Sequence, residues 1–212
     1  MKIPPERIEK SIILFLRMTI VLAILGSAWN QRWTLLFTSI LILAVTFFPY
    51  FFEKKYDINL PIEFELLIII FIYASLFLGE IHSYYTLFWW WDIILHIGSG
   101  VALGFVGFLV LYTLYHSKKI NASPIWIAVF SFCFGVAIGA VWEIFEFAMD
   151  QIFLLNMQKS GLVDTMWDLI VDSLGALLVS IIGYFYIKGR RKTIFGRLMK
   201  KFTKENPKYF RK

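Results

Sequence analysis

Six uninterrupted apolar runs, at about 11–28, 33–52, 64–80, 91–115, 124–148 and 165–187, constrain this chain more than any other feature of its sequence. Each is long enough to cross about 30 Å of hydrocarbon as a helix rising about 1.5 Å per residue. With 59% apolar residues and a mean hydropathy of +0.70 over 212 residues, the chain is too apolar for a soluble fold of its size. The expected class is therefore all-α, a polytopic membrane helical bundle with about six transmembrane helices. The first run follows Lys2, Arg7 and Lys10 and ends near Gly26, Ser27 and Ala28, which imitates a cleavable signal peptide. Five further spans favour an uncleaved first helix. The expected organisation is a membrane domain over 1–187 and a basic cytoplasmic tail over 188–212.

Positive charge sets the orientation, because Lys and Arg near span ends are retained on the cytoplasmic side. Lys2, Arg7, Lys10, Lys54, Lys55, Lys118, Lys119 and 11 tail residues put 18 of the 21 on one side, against Arg32 and Lys159 on the other. Both termini are thus expected in the cytoplasm. Arg17, inside the first span, is expected to snorkel or to meet a carboxylate. Trp89, Trp90 and Trp91 fall at the outer boundary, where amphipathic rings prefer the headgroup layer. The net charge of +6 resides in the tail, so the chain has no nucleic-acid groove to offer, and membrane lipid is its expected partner. Phe195, Leu198, Met199, Phe202 and Phe210 among the tail's cations predict an amphipathic stretch on anionic lipid, acting as a topology signal rather than a regulatory switch. The lone Cys133 permits no intramolecular disulfide and no cysteine cage, and is expected to fill packing space.

Eight of the 15 acidic residues fall on the outer half of this topology: Glu80, Asp92, Glu143, Glu146, Asp150, Asp164, Asp168 and Asp172. Asp92 and His96 share one helix face, as do Glu143 and Glu146. Asp164, Asp168 and Asp172 drift only about 80° around their helix over two turns. Asp172 then reaches into the hydrocarbon layer, where an isolated charge must be protonated, paired, hydrated or bound to a cation. Basic partners are few, so a divalent metal ion or shared protons are expected. Oxygen ligands with one imidazole suit magnesium, calcium, manganese or zinc alike. The metal candidates are Asp92, His96, Glu143, Glu146, Asp168 and Asp172, with Glu80 and His82 as outer supports; Glu143 and Glu146 are also candidate bases. Asp164 is expected to serve as the N-cap of the last span, with Asp92 beginning the fourth. Gly100-x3-Gly104 and Gly135-x3-Gly139 predict close helix approach that draws the acidic stripes together. The segment 150–163 reads as an outer loop or short interfacial helix able to cover the site. No nucleotide-binding loop, hydrolase serine elbow or HExxH motif occurs.

The order W-D-x3-H-x2-S-G from Trp91, W-E-x2-E from Trp142 and D-x3-D-x3-D-x2-G-A from Asp164 resembles the VanZ-like superfamily, nearest to its YjdF-type bacterial inner-membrane branch, over about 65–187. The resemblance implies a bacterial source, a multi-pass inner-membrane location, and roles for Asp92, His96, Glu143, Asp168, Asp172 and Gly175. Glu146 stands where the VanZ pattern commonly has Gln, and the later Arg of that pattern has no equivalent here. It implies no activity. Three functions follow from the residues. A metal-dependent enzyme acting on a lipid-linked or cell-envelope substrate at the outer leaflet ranks first. A proton- or cation-coupled transporter ranks second, because the inner halves of the spans are nearly bare of ionisable groups. A non-catalytic protein held together by a carboxylate cluster ranks third.

Overall fold

The computed structural model describes residues 4–189 and 193–210. Lys2, and Arg190, Arg191, Lys192, Arg211 and Lys212 of the basic tail, lie outside them. The protein is all-α, with no strand among the described residues. Six helical stretches are long and apolar enough to cross a membrane: Glu6–Trp29, Trp33–Tyr56, Ile62–Ile81, Trp91–His116, Pro124–Phe153 and Leu162–Ile187. Leu14, Phe15, Trp126 and Ile144 on these helices stay exposed while His96, Glu143, Asp168 and Asp172 are buried, the polarity expected where lipid is the solvent. The chain divides into two compact units, Met1–Trp91 with Lys204–Asn206, and Asp92–Thr203 with Pro207–Lys212.

The first unit is built from α1 (Pro5–Trp29), α2 (Trp33–Val45), α3 (Phe48–Tyr56), α4 (Ile62–Ile72), a π-helical continuation of α4 (Tyr73–Ile81), and the single turn α5 (Tyr84–Leu87). Its core gathers Ile20, Ile42, Ile72 and Phe77. The second span breaks between α2 and α3 because Pro49, in the first turn of α3, has no N–H to give and crowds the preceding turn. Arg17 meets the break. Its guanidinium donates to Thr46 O at 2.8 Å and to Thr46 Oγ1 at 3.2 Å, approaches Glu65 at 3.8 Å and lies 4.3 Å from the Phe47 ring. Arg17 therefore meets a carboxylate, and it also binds the Thr46 carbonyl at the break.

The second unit holds α6 (Trp91–His116), α7 (Pro124–Phe153), α8 (Leu162–Ile187), α9 (Ile194–Glu205) and α10 (Pro207–Phe210). Pro124 in the first turn suits the start of α7, where an N–H has no intrahelical partner. Small residues let α6, α7 and α8 close on one another. A Cβ on Gly100 would overlap the Asp172 backbone, one on Gly139 would sit 2.7 Å from Asp172 Oδ2, and one on Gly135 would sit 2.8 Å from Ala176 Cβ. The two glycine pairs thus converge on α8 at the level of its buried aspartates. Phe195, Met199 and Phe202 of α9 and Phe210 of α10 are buried, with Phe195 packing 5.0 Å from both Phe105 and Phe108 and 5.6 Å from Tyr186. This apolar face rests on protein instead of the lipid that amphipathicity predicts, while Arg197, Lys200, Lys204 and Lys208 remain exposed.

Candidate functional site

The acidic and histidine residues of α6, α7 and α8 meet inside the second unit. Asp92 lies in the first turn of α6 and His96 one turn further. Glu143 and Glu146 lie on the buried face of α7, and Asp168 and Asp172 on that of α8. His96 is 8% exposed, Glu143 4%, Asp168 3% and Asp172 2%, so water cannot stabilise these groups as it would at a surface.

Asp172 holds the imidazole from one side. Its Oδ2 lies 3.2 Å from His96 Nδ1, and its Oδ1 accepts a hydrogen bond from Ser99 Oγ at 2.6 Å. With Nδ1 engaged, Nε2 faces the other carboxylates, 3.8 Å from both Asp92 Oδ1 and Asp168 Oδ2. Ligating atoms of His96, Glu143 and Asp168 lie within 4.8 Å of one another, as do those of Asp92, Asp164 and Asp168. Asp168 belongs to both groups.

Glu143 differs from its neighbours. Both of its carboxylate oxygens are buried without a hydrogen-bond partner; Thr165 stands close by but makes no well-formed bond to either. Glu146, by contrast, accepts from its own helix, Trp142 Nε1 to Oε1 at 2.9 Å. Asp92 pairs with Lys159 Nζ at 2.6 Å.

Lys159 belongs to the loop between α7 and α8. This connection is shorter than the segment 150–163 suggested: α7 continues to Phe153, Leu154 turns with φ 55° and α8 begins at Leu162. Asp150 secures the loop by accepting from Met157 N at 2.7 Å and Gln158 N at 2.9 Å, while Gln158 Nε2 donates to Thr165 Oγ1 at 2.7 Å. Asp164 does not cap α8. Gly161, at φ 64°, occupies the capping position, which places Asp164 in the first helical turn, its carboxylate beside the Lys159 backbone and at ligand spacing from Asp92 and Asp168. Helix initiation three residues earlier than the apolar run implied is the physical reason.

Of the expected residues, Asp92, His96, Glu143, Asp168 and Asp172 assemble in direct or near contact, and Glu146 is buried one turn from Glu143. Glu80 and His82 belong to the first unit. Ser99 and the restraint of the loop by Asp150 escaped the sequence reading. Ser99 had a signal, since it follows His96 by three residues and so shares its face; the turn chemistry around Asp150 had none.

A family model described as "Predicted membrane protein (DUF2238)" matches residues 12–189. A protein of Thermotoga maritima described as uncharacterized is 31% identical over 149 residues, covering 68% of this chain and 73% of its own. No solved structure matches.

Proposed function

This chain belongs to the DUF2238 family of predicted membrane proteins, and from the cluster it carries we propose that it binds a divalent cation at His96, Glu143 and Asp168 and acts on a lipid-linked or cell-envelope substrate at the extracytoplasmic leaflet. The observation that carries the reading is Glu143, a carboxylate 4% exposed with neither oxygen hydrogen-bonded. A carboxylate buried without a well-formed hydrogen bond is costly to hold as an anion. Here it stands with an imidazole and a second carboxylate at ligand spacing, so a cation stabilises all three at once.

The surrounding residues fit that role. Asp172 fixes the imidazole through Nδ1, and such outer carboxylates orient a metal-binding histidine so that Nε2 is presented to the ion. One nitrogen and two or more oxygens suit zinc, manganese or magnesium. When bound, the ion supplies positive charge to a phosphoryl oxygen and acidifies a water. Glu146 is the proposed base. It would take a proton from the attacking water as the new P–O bond forms and the ester P–O bond breaks, and would return that proton to the departing oxygen. The rest of the reading belongs to the same proposal: kinship with the VanZ-like and YjdF-type proteins, a bacterial inner-membrane location, a membrane domain over 1–187 and a cytoplasmic tail over 188–212.

Metal content of the purified full chain, measured by mass spectrometry beside Glu143→Gln and Asp168→Asn, tests the reading. About one ion per wild-type chain, lost in both variants, supports it, and release of phosphate from lipid-phosphate probes in nanodiscs then tests the chemistry. A well-folded wild type that takes up no magnesium, manganese or zinc overturns the cation and leaves shared protons among the carboxyls as the stabilising device.

A further inference from the structure

Ser27 lies near the end of α1, is 3% exposed, and has an Oγ with no hydrogen-bond partner. Helical serines elsewhere in the chain return their hydroxyl to a preceding carbonyl: Ser11 to Arg7 O, Ser75 to Phe71 O and Ser180 to Leu177 O. Ser39 shares the orphaned state, but Ser27 borders a cavity of about 220 Å³ in the first unit. The Ser27 hydroxyl is sealed behind the cavity wall, so the groups left to meet a ligand are the exposed polar residues that line the cavity.

The other walls supply what an anion needs. Arg32 follows a tight turn in which Gln31 has φ 55°, and Arg32 N donates to Ser27 O at 2.9 Å. Its exposed guanidinium has neither an ion pair nor a hydrogen bond among the described residues. His82 sits just beyond the π-helical end of the third span. Nδ1 lies 2.9 Å from Phe77 O and the Phe77 ring packs 4.7 Å away, so Nε2 is the imidazole atom left for a ligand. Asn30 adds an amide, and Ala23, Leu35 and Ile81 give an apolar floor. No carboxylate lines this cavity. The end of the first span and the end of the third lie on the same membrane side by chain alternation, so the pocket opens at a bilayer boundary.

We propose that this cavity binds the phosphate of a phosphate-bearing molecule, with Arg32 as the charged contact and His82 as the hydrogen-bonding contact. A guanidinium offers a planar fork matched to phosphate oxygens, and the apolar floor accepts the first carbons of an esterified chain. The phosphate can arrive on a phospholipid or as a soluble anion. The site belongs to the first unit and stands independently of the cation centre.

Native mass spectrometry of the full chain tests this with phosphatidylglycerol, inorganic phosphate and phosphate-free diacylglycerol as probes. Wild type retains phosphatidylglycerol over diacylglycerol, and Arg32→Gln and His82→Gln each weaken retention about tenfold, the loss of one charge-assisted bond. Gly26→Leu supplies a variant that alters no polar group. Gly26 lines the cavity and a Cβ there meets nothing within 4 Å, so leucine, which favours the helix, should take up space the ligand needs. Lys119→Gln, an exposed position of the second unit away from both sites, leaves retention unchanged. Sensitivity of inorganic phosphate binding alone to Arg32 and Gly26 assigns the pocket to a soluble anion. If Arg32→Gln and Gly26→Leu alter neither phosphatidylglycerol nor phosphate binding, the proposal fails.

Discussion

At the scale of single residues, the difference between Asp172 and Lys159 shows what spacing reveals and what it hides. The one-turn intervals among Asp92, His96, Asp168 and Asp172 placed them on inward faces, and all four assemble as those faces require. Spacing did not distinguish a ligand from the residue behind it. Asp172 touches Nδ1 and Ser99, which makes it the orienting partner. Asp172→Asn should accordingly weaken cation binding about 10–100-fold without abolishing it, a partial loss that calorimetric titration separates from the complete loss expected of Glu143→Gln. Lys159 carries the opposite lesson. Its ammonium contacts Asp92 and so occupies the edge of the group formed by Asp92, Asp164 and Asp168. Removing it in Lys159→Met, with the loop still tied by Asp150, should open that group and raise bound manganese from about one ion per chain toward two. Unchanged stoichiometry would show that the second group is no cation seat.

At the scale of elements, hydrophobic runs located all six spans because lipid demands length and continuity, and these are visible in composition. Boundaries depended on finer chemistry. Gly161 and Leu154, both at positive φ, move the ends of α7 and α8 past the apolar limits, and Pro49 breaks the second span although its flanks are as apolar as the rest. The π-helical stretch Tyr73–Ile81 has no periodic signature that a run of apolar residues can display. Glycine spacing was more telling. Gly139 abuts Asp172, whereas Gly98, on the same α6 as His96, faces open space. Gly139→Ala should therefore destabilise the unit by about 1–3 kcal/mol through overpacking and loosen the cation centre with it. Gly98→Ala should leave both unchanged or raise the melting temperature, since alanine favours a helix over glycine by about 0.5–1 kcal/mol. Thermal unfolding in detergent with parallel metal analysis checks the pair; equal losses at both positions would mean that helix flexibility, and not close approach at Asp172, governs the site.

At the scale of the whole molecule, the physical choice is which side of the membrane the carboxylates serve, and charge supplies the prediction. Cations placed on one side by span alternation number 18, against Arg32 and Lys159 on the other, and retention of positive charge in the cytoplasm would send Lys159 and its loop outward. The loop is tied to the candidate site through the Lys159–Asp92 pair, so the orientation of one fixes the orientation of the other. The exposed Cys133 must first be replaced by alanine. A cysteine introduced at Gln158 would lose the side-chain bond to Thr165, so Ser160, exposed in the same loop, is the better reporter, with Lys208 as its counterpart in the tail. In intact cells a membrane-impermeant maleimide should label Ser160→Cys and leave Lys208→Cys unlabelled until the membrane is opened. That pattern restricts the substrate to molecules reached from the outer leaflet. The reverse pattern would turn the same carboxylates toward the cytoplasm, and outer-leaflet chemistry would be excluded however tightly the cation bound.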